Sequence, residues 1–177
     1  SDRFCLYMPG PPLTGDWTAP QVRMRAGRVR GGRPARMLWS QTVMPWLAAR
    51  DGVDVFWGTS HRLPRWLPAH MARVVTIHDL VWRHAGDTMR PLSRWLEQRL
   101  MPQAVHMADR IVADSQSTAD DLMDAFPAVR ERVRVVHLGA TPMPAPVDMA
   151  ALAALGIVKP YVLFVGTLEP RKNLRRL

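Results

Sequence analysis

Apolar positions along the chain gather into short runs, and polar, proline-rich or glycine-rich stretches punctuate them. Residues 3–7 (RFCLY) predict a strand, stopped by Pro9, Gly10, Pro11 and Pro12. Residues 13–36 are polar, rich in arginine and glycine and weakly periodic, which predicts a loop with a short strand at 21–25. Residues 37–50 carry Leu38, Val43, Trp46 and Leu47 at helical spacing, with Pro45 starting or kinking the helix. Residues 53–57 (VDVFW) and 73–77 (RVVTI) predict strands, the second β-branched and uninterrupted, as in a strand covered on both faces. Pro64 and Pro68 flank Arg65, Trp66 and Leu67, so residues 61–72 predict a loop or irregular helix.

Residues 91–107 predict a helix, with Pro91 in its first turn and Leu92, Trp95, Leu96, Leu100, Ala104 and Val105 at near-helical spacing. Residues 109–113 (DRIVA) predict a strand. Ser117 and Asp120 have capping-box spacing and predict the start of a helix that runs to Phe126, before Pro127. Residues 132–136 (RVRVV) predict another strand. Residues 141–147 (TPMPAPV) hold three prolines, a stiff extended connector and the best domain boundary in the chain. Beyond it lie a short helix over 148–155 capped by Gly156, a strand over 161–165 (YVLFV), and a loop over 166–173 that feeds a helix.

Strands alternating with helices, several of them apolar throughout, predict an α/β fold: a Rossmann-like, doubly wound parallel sheet with flanking helices. Ligands bind such sheets beyond the carboxyl ends of the strands. The residues to inspect are therefore 58–60, His78 and Asp79, Asp114 and Ser115, 137–139 and 166–172.

Composition narrows the function. The 177 residues suit one domain, or one domain and part of another. A 47% apolar and 22% charged balance excludes a wholly disordered chain. The single cysteine, Cys5, excludes a disulfide framework and a cysteine-cluster zinc site, and its apolar run makes it core rather than nucleophile. No apolar run approaches the roughly 18 residues of a membrane-spanning helix. The first residues, Ser1 to Phe4, carry no start methionine and no signal-peptide pattern, as in a chain entered partway through. The net charge is +9, and of the 24 cationic residues only Lys159 and Lys172 are lysines. Such a body attracts nucleic acid, anionic lipid or phosphorylated ligands, unless the charges merely form a solvated surface.

Two segments carry candidate chemistry. Gly166 ends a predicted strand, and Thr167, Arg171 and Lys172 lie in the turn that leads to a helix. Glycine permits close backbone approach, a helix start offers free amides, and the two cations suit a diphosphate. A surface loop with two solvated charges fits the same residues. His78 follows the most buried strand, where it would bind a ligand, shuttle a proton or be held in place by Asp79. The six histidines show no zinc-ligand spacing, so no metal is expected, and neither a serine-hydrolase elbow nor a P-loop occurs. Trp66 among arginines and prolines fits a membrane interface or a core anchor equally well.

The succession VDVFWGTSHRLP, VVTIHDLVW, ADRIVADSQSTADDL, RVRVVHLGA and YVLFVGTLEPRKNLRRL resembles family 4 glycosyltransferases of the GT-B fold, closest to the bacterial mannosyltransferase branch of O-antigen and exopolysaccharide synthesis. The likeness spans residues 53–177 and keeps the family's order. It implies an acceptor-binding Rossmann-like domain over 1–140, a hinge over 141–147 and the start of a nucleotide-sugar-binding domain over 148–177. The family's first strand and glycine-rich turn would precede Arg3, its C-terminal glutamate pair would follow Leu177, and the fragment alone would be inactive.

By the same resemblance, His78 matches the cleft histidine near the reacting sugar, with Asp79 beside it. Lys172 matches the lysine on the donor diphosphate, with Gly166, Thr167 and Arg171 around it. Thr167 stands where the family often has arginine, so Arg171 supplies charge in its place. The likeness implies a retaining, metal-independent hexosyltransferase without a cofactor, with GDP-mannose the leading donor. The acceptor would be a glycan or a polyprenyl-diphosphate-linked glycan, met in the cytoplasm or at the inner face of the bacterial inner membrane, where the basic body would touch anionic lipid. A basic α/β nucleic-acid module without catalysis is the alternative. It rests on charge alone, and no nucleic-acid partner is expected.

Overall fold

The computed structural model describes residues 2–11, 19–142 and 149–176. Its apolar runs form strands β1 (Phe4–Met8), β2 (Val22–Ala26), β3 (Val55–Gly58), β4 (Ala72–Ile77), β5 (Arg110–Ala113) and β6 (Val133–Val135). Every pairing among them is parallel. Parallel neighbours need crossovers, which helices supply from β4 to β5 and from β5 to β6, and the irregular 59–71 segment from β3 to β4. The described helices are α1 (Gly32–Gln41), α2 (Val43–Arg50), α3 (Val81–His84), α4 (Pro91–Met107), α5 (Gln116–Ala125) and α6 (Met149–Ala154). The α/β class with parallel sheets and flanking helices is thus the observed one. No described helix is long and apolar enough to cross a membrane.

The strands fall into two sheets rather than one. β1 pairs with β2, Phe4 opposite Val22, and the other four lie in the sequential order β3–β4–β5–β6. Val75 and Ile77 of β4 and Ile111 and Ala113 of β5 are buried with Met101, Ala104 and Val105 of α4 and Leu122 of α5. β4 runs between two partners, and its last residues, Val75, Thr76 and Ile77, are all buried. Among the described strands β3 pairs with β4 alone, and its burial alternates: Phe56 is buried while Val55 and Trp57 are exposed. The expectation of a strand covered on both faces, made for 73–77, therefore holds for the end of β4. The first residues of the 61–72 loop drop Leu63 and Pro64 into the core, followed by Leu67 and Met71, whereas Trp66 stays 67% exposed and is no core anchor.

The helix expected over 37–50 is two helices. Its first half begins at Gly32, where Gly31 and Gly32 take the positive φ that only glycine adopts cheaply. The break falls at Thr42, before Pro45. A proline ring inside a helix crowds the carbonyl four residues back, here that of Gln41. As third residue of α2, Pro45 occupies a turn whose amides lack helical acceptors anyway. The cap of α5 is Ser115 rather than Ser117: its extended backbone aims Oγ at the Thr118 amide, 3.1 Å away.

Gly156 closes α6 as expected, at φ 75°, with Ile157 N–H donating to Leu152 O and Gly156 N–H to Ala153 O. The strand expected over 161–165 does not form. Val162 and Val165 are 82% and 83% exposed, and no described strand offers the segment a ladder. The helix expected after the 166–173 loop is instead two 3-10 turns, Pro170–Lys172 and Leu174–Arg176. Of the expected hinge, residues 143–147 lie outside the described residues.

Candidate functional site

The end of the buried strand β4 delivers His78 to the carboxyl edge of the four-stranded sheet, beside the ends of β3 and β5. Four groups hold it there. Nδ1 lies 3.0 Å from Asp114 Oδ2, just past β5, and Nε2 lies 3.0 Å from the Thr59 carbonyl, just past β3. The His78 amide donates to His61 Nε2 at 3.0 Å, and its carbonyl accepts from Thr118 Oγ1 at 2.9 Å. Ser115 connects the last bond to the cap of α5: its hydroxyl donates to Thr118 Oγ1 and accepts from the Thr118 amide.

This geometry bears on the protonation state. A carboxylate and a carbonyl both accept, so the arrangement favours a proton on each ring nitrogen of His78 and thus the imidazolium form. The Asp114 carboxylate raises its pKa most; partial burial opposes this, and the Thr59 carbonyl adds to the rise. His61 is fixed in the opposite sense. Its Nε2 accepts from the His78 amide, so the proton sits on Nδ1, which faces Glu97 Oε2 at 3.2 Å. Arg62 binds the other Glu97 oxygen at 3.0 Å. Burial pushes the Glu97 carboxyl up, but the bonds from His61 and Arg62 outweigh it and leave the pKa below the usual value.

The tight path of residues 58–62 makes these contacts possible. A Cβ on Gly58 would stand 2.2 Å from the Arg62 carbonyl oxygen, so only glycine lets the loop fold back. His61 takes φ 57°, unusual for a residue with a side chain, and its amide bonds the Thr76 carbonyl at 3.0 Å.

Asp79 does not hold the His78 ring. Its Oδ1 accepts from the Val81 amide at 3.1 Å, bracing the start of α3, and the partner of the ring is Asp114 from the neighbouring strand. Asp114 was legible as a residue just past a strand; its pairing with His78 was not. His61, Glu97 and Thr118 carried no sequence signal beyond residue type. Each reaches His78, or the loop that holds it, only through tertiary packing.

The other predicted segment is open. Gly166 has φ 155°, and a Cβ there would meet the Phe164 ring at 3.1 Å. Thr167 Oγ1 donates to Glu169 Oε1 at 2.9 Å, and Lys172 is exposed on the first 3-10 turn. The side chain of Arg171 lies outside the described residues. Among the described residues no three histidine, cysteine or carboxylate side chains gather as a metal-ligand set.

A family model described as Glycosyltransferase Family 4 matches residues 7–142. A D-inositol 3-phosphate glycosyltransferase of Streptomyces bingchenggensis is 33% identical over 130 residues, covering 66% of this chain and 28% of that protein. A protein of the same name from Nocardia farcinica is 37% identical over 91 residues, covering 49% of this chain and 20% of its own length. An alpha-maltose-1-phosphate synthase of Mycolicibacterium smegmatis is 29% identical over 141 residues, covering 67% of this chain and 35% of that protein. The chain thus spans between a fifth and about a third of the length of these relatives.

Proposed function

From the premise that the chain belongs to glycosyltransferase family 4, we propose that it is part of an enzyme that moves a sugar from a nucleotide-diphosphate donor to an acceptor hydroxyl. Residues 1–140 form the acceptor domain, residues 141–147 the hinge, and residues 148–177 open the donor domain. The observation that carries this reading is His78, clamped between two oxygen acceptors at the carboxyl edge of a parallel sheet, the position where such folds bind ligands.

In the transfer, the bond between the anomeric carbon and the diphosphate oxygen breaks, and its electron pair leaves with the nucleotide. The acceptor oxygen bonds the same carbon, and its proton passes to the departing phosphate. Lys172, with Arg171 beside it, is positioned in sequence to meet the negative charge that grows on the diphosphate. His78 works as a hydrogen-bond donor, because the acceptors at both ring nitrogens favour its protonated form. A sugar hydroxyl that replaced the Thr59 carbonyl at Nε2 would receive that bond, while Asp114 keeps the ring aligned.

The names of the relatives carry inositol phosphate and maltose phosphate. Mannose from GDP-mannose, and a glycan or polyprenyl-diphosphate-linked acceptor in cell-surface polysaccharide synthesis, rest on the likeness of the segments alone. So do a cytoplasmic place and contact with the inner membrane. The test is a titration of the protein encoded by the complete reading frame with GDP-mannose, UDP-glucose and an oligonucleotide at two salt concentrations. Saturable binding of one nucleotide sugar, weakened by Lys172→Ala, is expected. Binding of the oligonucleotide alone, with steep loss in salt, would overturn the reading.

A further inference from the structure

Beyond the ends of β1 and β2 the parallel ladder continues for two more bonds. Gly27 N–H donates to Met8 O at 2.7 Å and Val29 N–H to Pro9 O at 3.1 Å. The two segments border a pocket of about 530 Å³, lined by Gly10, Gly27, Arg28, Arg30 and Arg36 among others. Trp39, nearly buried, packs beneath Gly27, and Arg36 lies one turn before it on α1.

The arginines of this pocket differ from those that build the fold. Arg25, Arg62, Arg83 and Arg94 each bind a carboxylate. Arg132 and Arg134 bind backbone carbonyls. Arg28, Arg30 and Arg36 have no partner among the described residues, and no described acidic residue lines their pocket. Three arginines lining one cavity with no carboxylate among its described lining leave an excess of positive charge there for an anion to meet. Their planar forks match phosphate oxygens two at a time. The cavity volume falls within the roughly 300–1,000 Å³ of small-molecule sites.

We propose that this pocket is an anion site for the phosphate or diphosphate group of a ligand other than the sugar donor. It uses none of the residues assigned to His78 or to the donor loop, so it stands or falls apart from that assignment. The phosphate belongs to a soluble phosphate ester or to a lipid headgroup, and the two sources separate by experiment.

The chain is titrated with inorganic pyrophosphate, alongside a variant carrying Arg28→Gln, Arg30→Gln and Arg36→Gln. A control variant, Arg65→Gln, Arg90→Gln and Arg130→Gln, removes the same charge elsewhere. The pocket variant is expected to bind about tenfold more weakly or worse, as loss of charge-assisted bonds implies. The control should stay within about twofold, since distant exposed charges are screened. Equal weakening in the pocket and control variants, or no saturable binding by the parent chain, would overturn the proposal. Amide chemical shifts of the parent chain read the site without any variant: Gly10, Gly27 and Val29 should move, and shifts confined to the 166–172 segment would also overturn it. Competition by glucose 6-phosphate assigns a soluble ester. Arginine-dependent binding to phosphatidylglycerol vesicles, absent with phosphatidylcholine, assigns a headgroup.

Discussion

Both ring nitrogens of His78 face oxygen acceptors, which favours its charged form before any ligand arrives. Its folded pKa is raised, with Asp114 the main cause. The stabilisation this brings is fully present below the unfolded value of about 6.5 and is lost as pH rises through the folded value. Ring resonances of His78 followed by NMR should therefore titrate above about 6.5. Asp114→Asn should move the midpoint down, and an unchanged midpoint would show that the carboxylate does not hold the ring. Glu97 has the opposite sign: its depressed value contributes stability above the unfolded value, and that contribution fades as pH falls through the folded one. From sequence, His78 is conspicuous as the residue after the most buried strand, and Asp79 is the obvious partner by adjacency. Adjacency misleads here because the Asp79 carboxylate is taken up by the Val81 amide at the start of α3. The carboxylate within reach comes from the next strand over, 36 positions along the chain.

Among the elements, the turn after β3 is the most constrained. Gly58→Ala would drive a methyl group into the Arg62 carbonyl, so the loop bearing Thr59, His61 and Arg62 must shift. A loss of about 1–3 kcal/mol is expected from overpacking of this kind, read as a lower midpoint in urea. The His78 titration should change with it, since Thr59 and His61 move together. Local rules served the helices well. Pro91 opens α4 and Gly156 closes α6 as anticipated, because each acts on its own backbone. The same rules, read one step further, account for the break at Thr42. A strand is different: 161–165 has the composition of one and no ladder to join among the described residues, so composition alone could not make it a strand.

Across the whole molecule, the two-stranded sheet is tied down through Asp51, just past α2. Its carboxylate, only 3% exposed, accepts from Tyr7 of β1 at 3.0 Å and from Arg25 of β2. The Arg25 guanidinium lowers the Asp51 pKa, against the effect of burial and with help from Tyr7. The tie holds above the unfolded carboxylate value and weakens as pH falls through the folded one. Asp51→Asn should accordingly raise amide hydrogen exchange in β1 and β2 more than in β4 and β5; equal change in both sheets would show that the molecule opens as one unit. The sequence by itself determined the α/β class, the parallel habit of the strands and the edge at which ligand-facing residues gather, because periodicity and β-branching report local burial. Only the tertiary structure decided that the strands split into two sheets, that Asp114 rather than Asp79 holds His78, that Glu97 and His61 brace its loop, and that three arginines ring one pocket. The physical reason is that these are pairings between distant segments, fixed by strand order and packing, and a one-dimensional pattern carries no record of which segments meet.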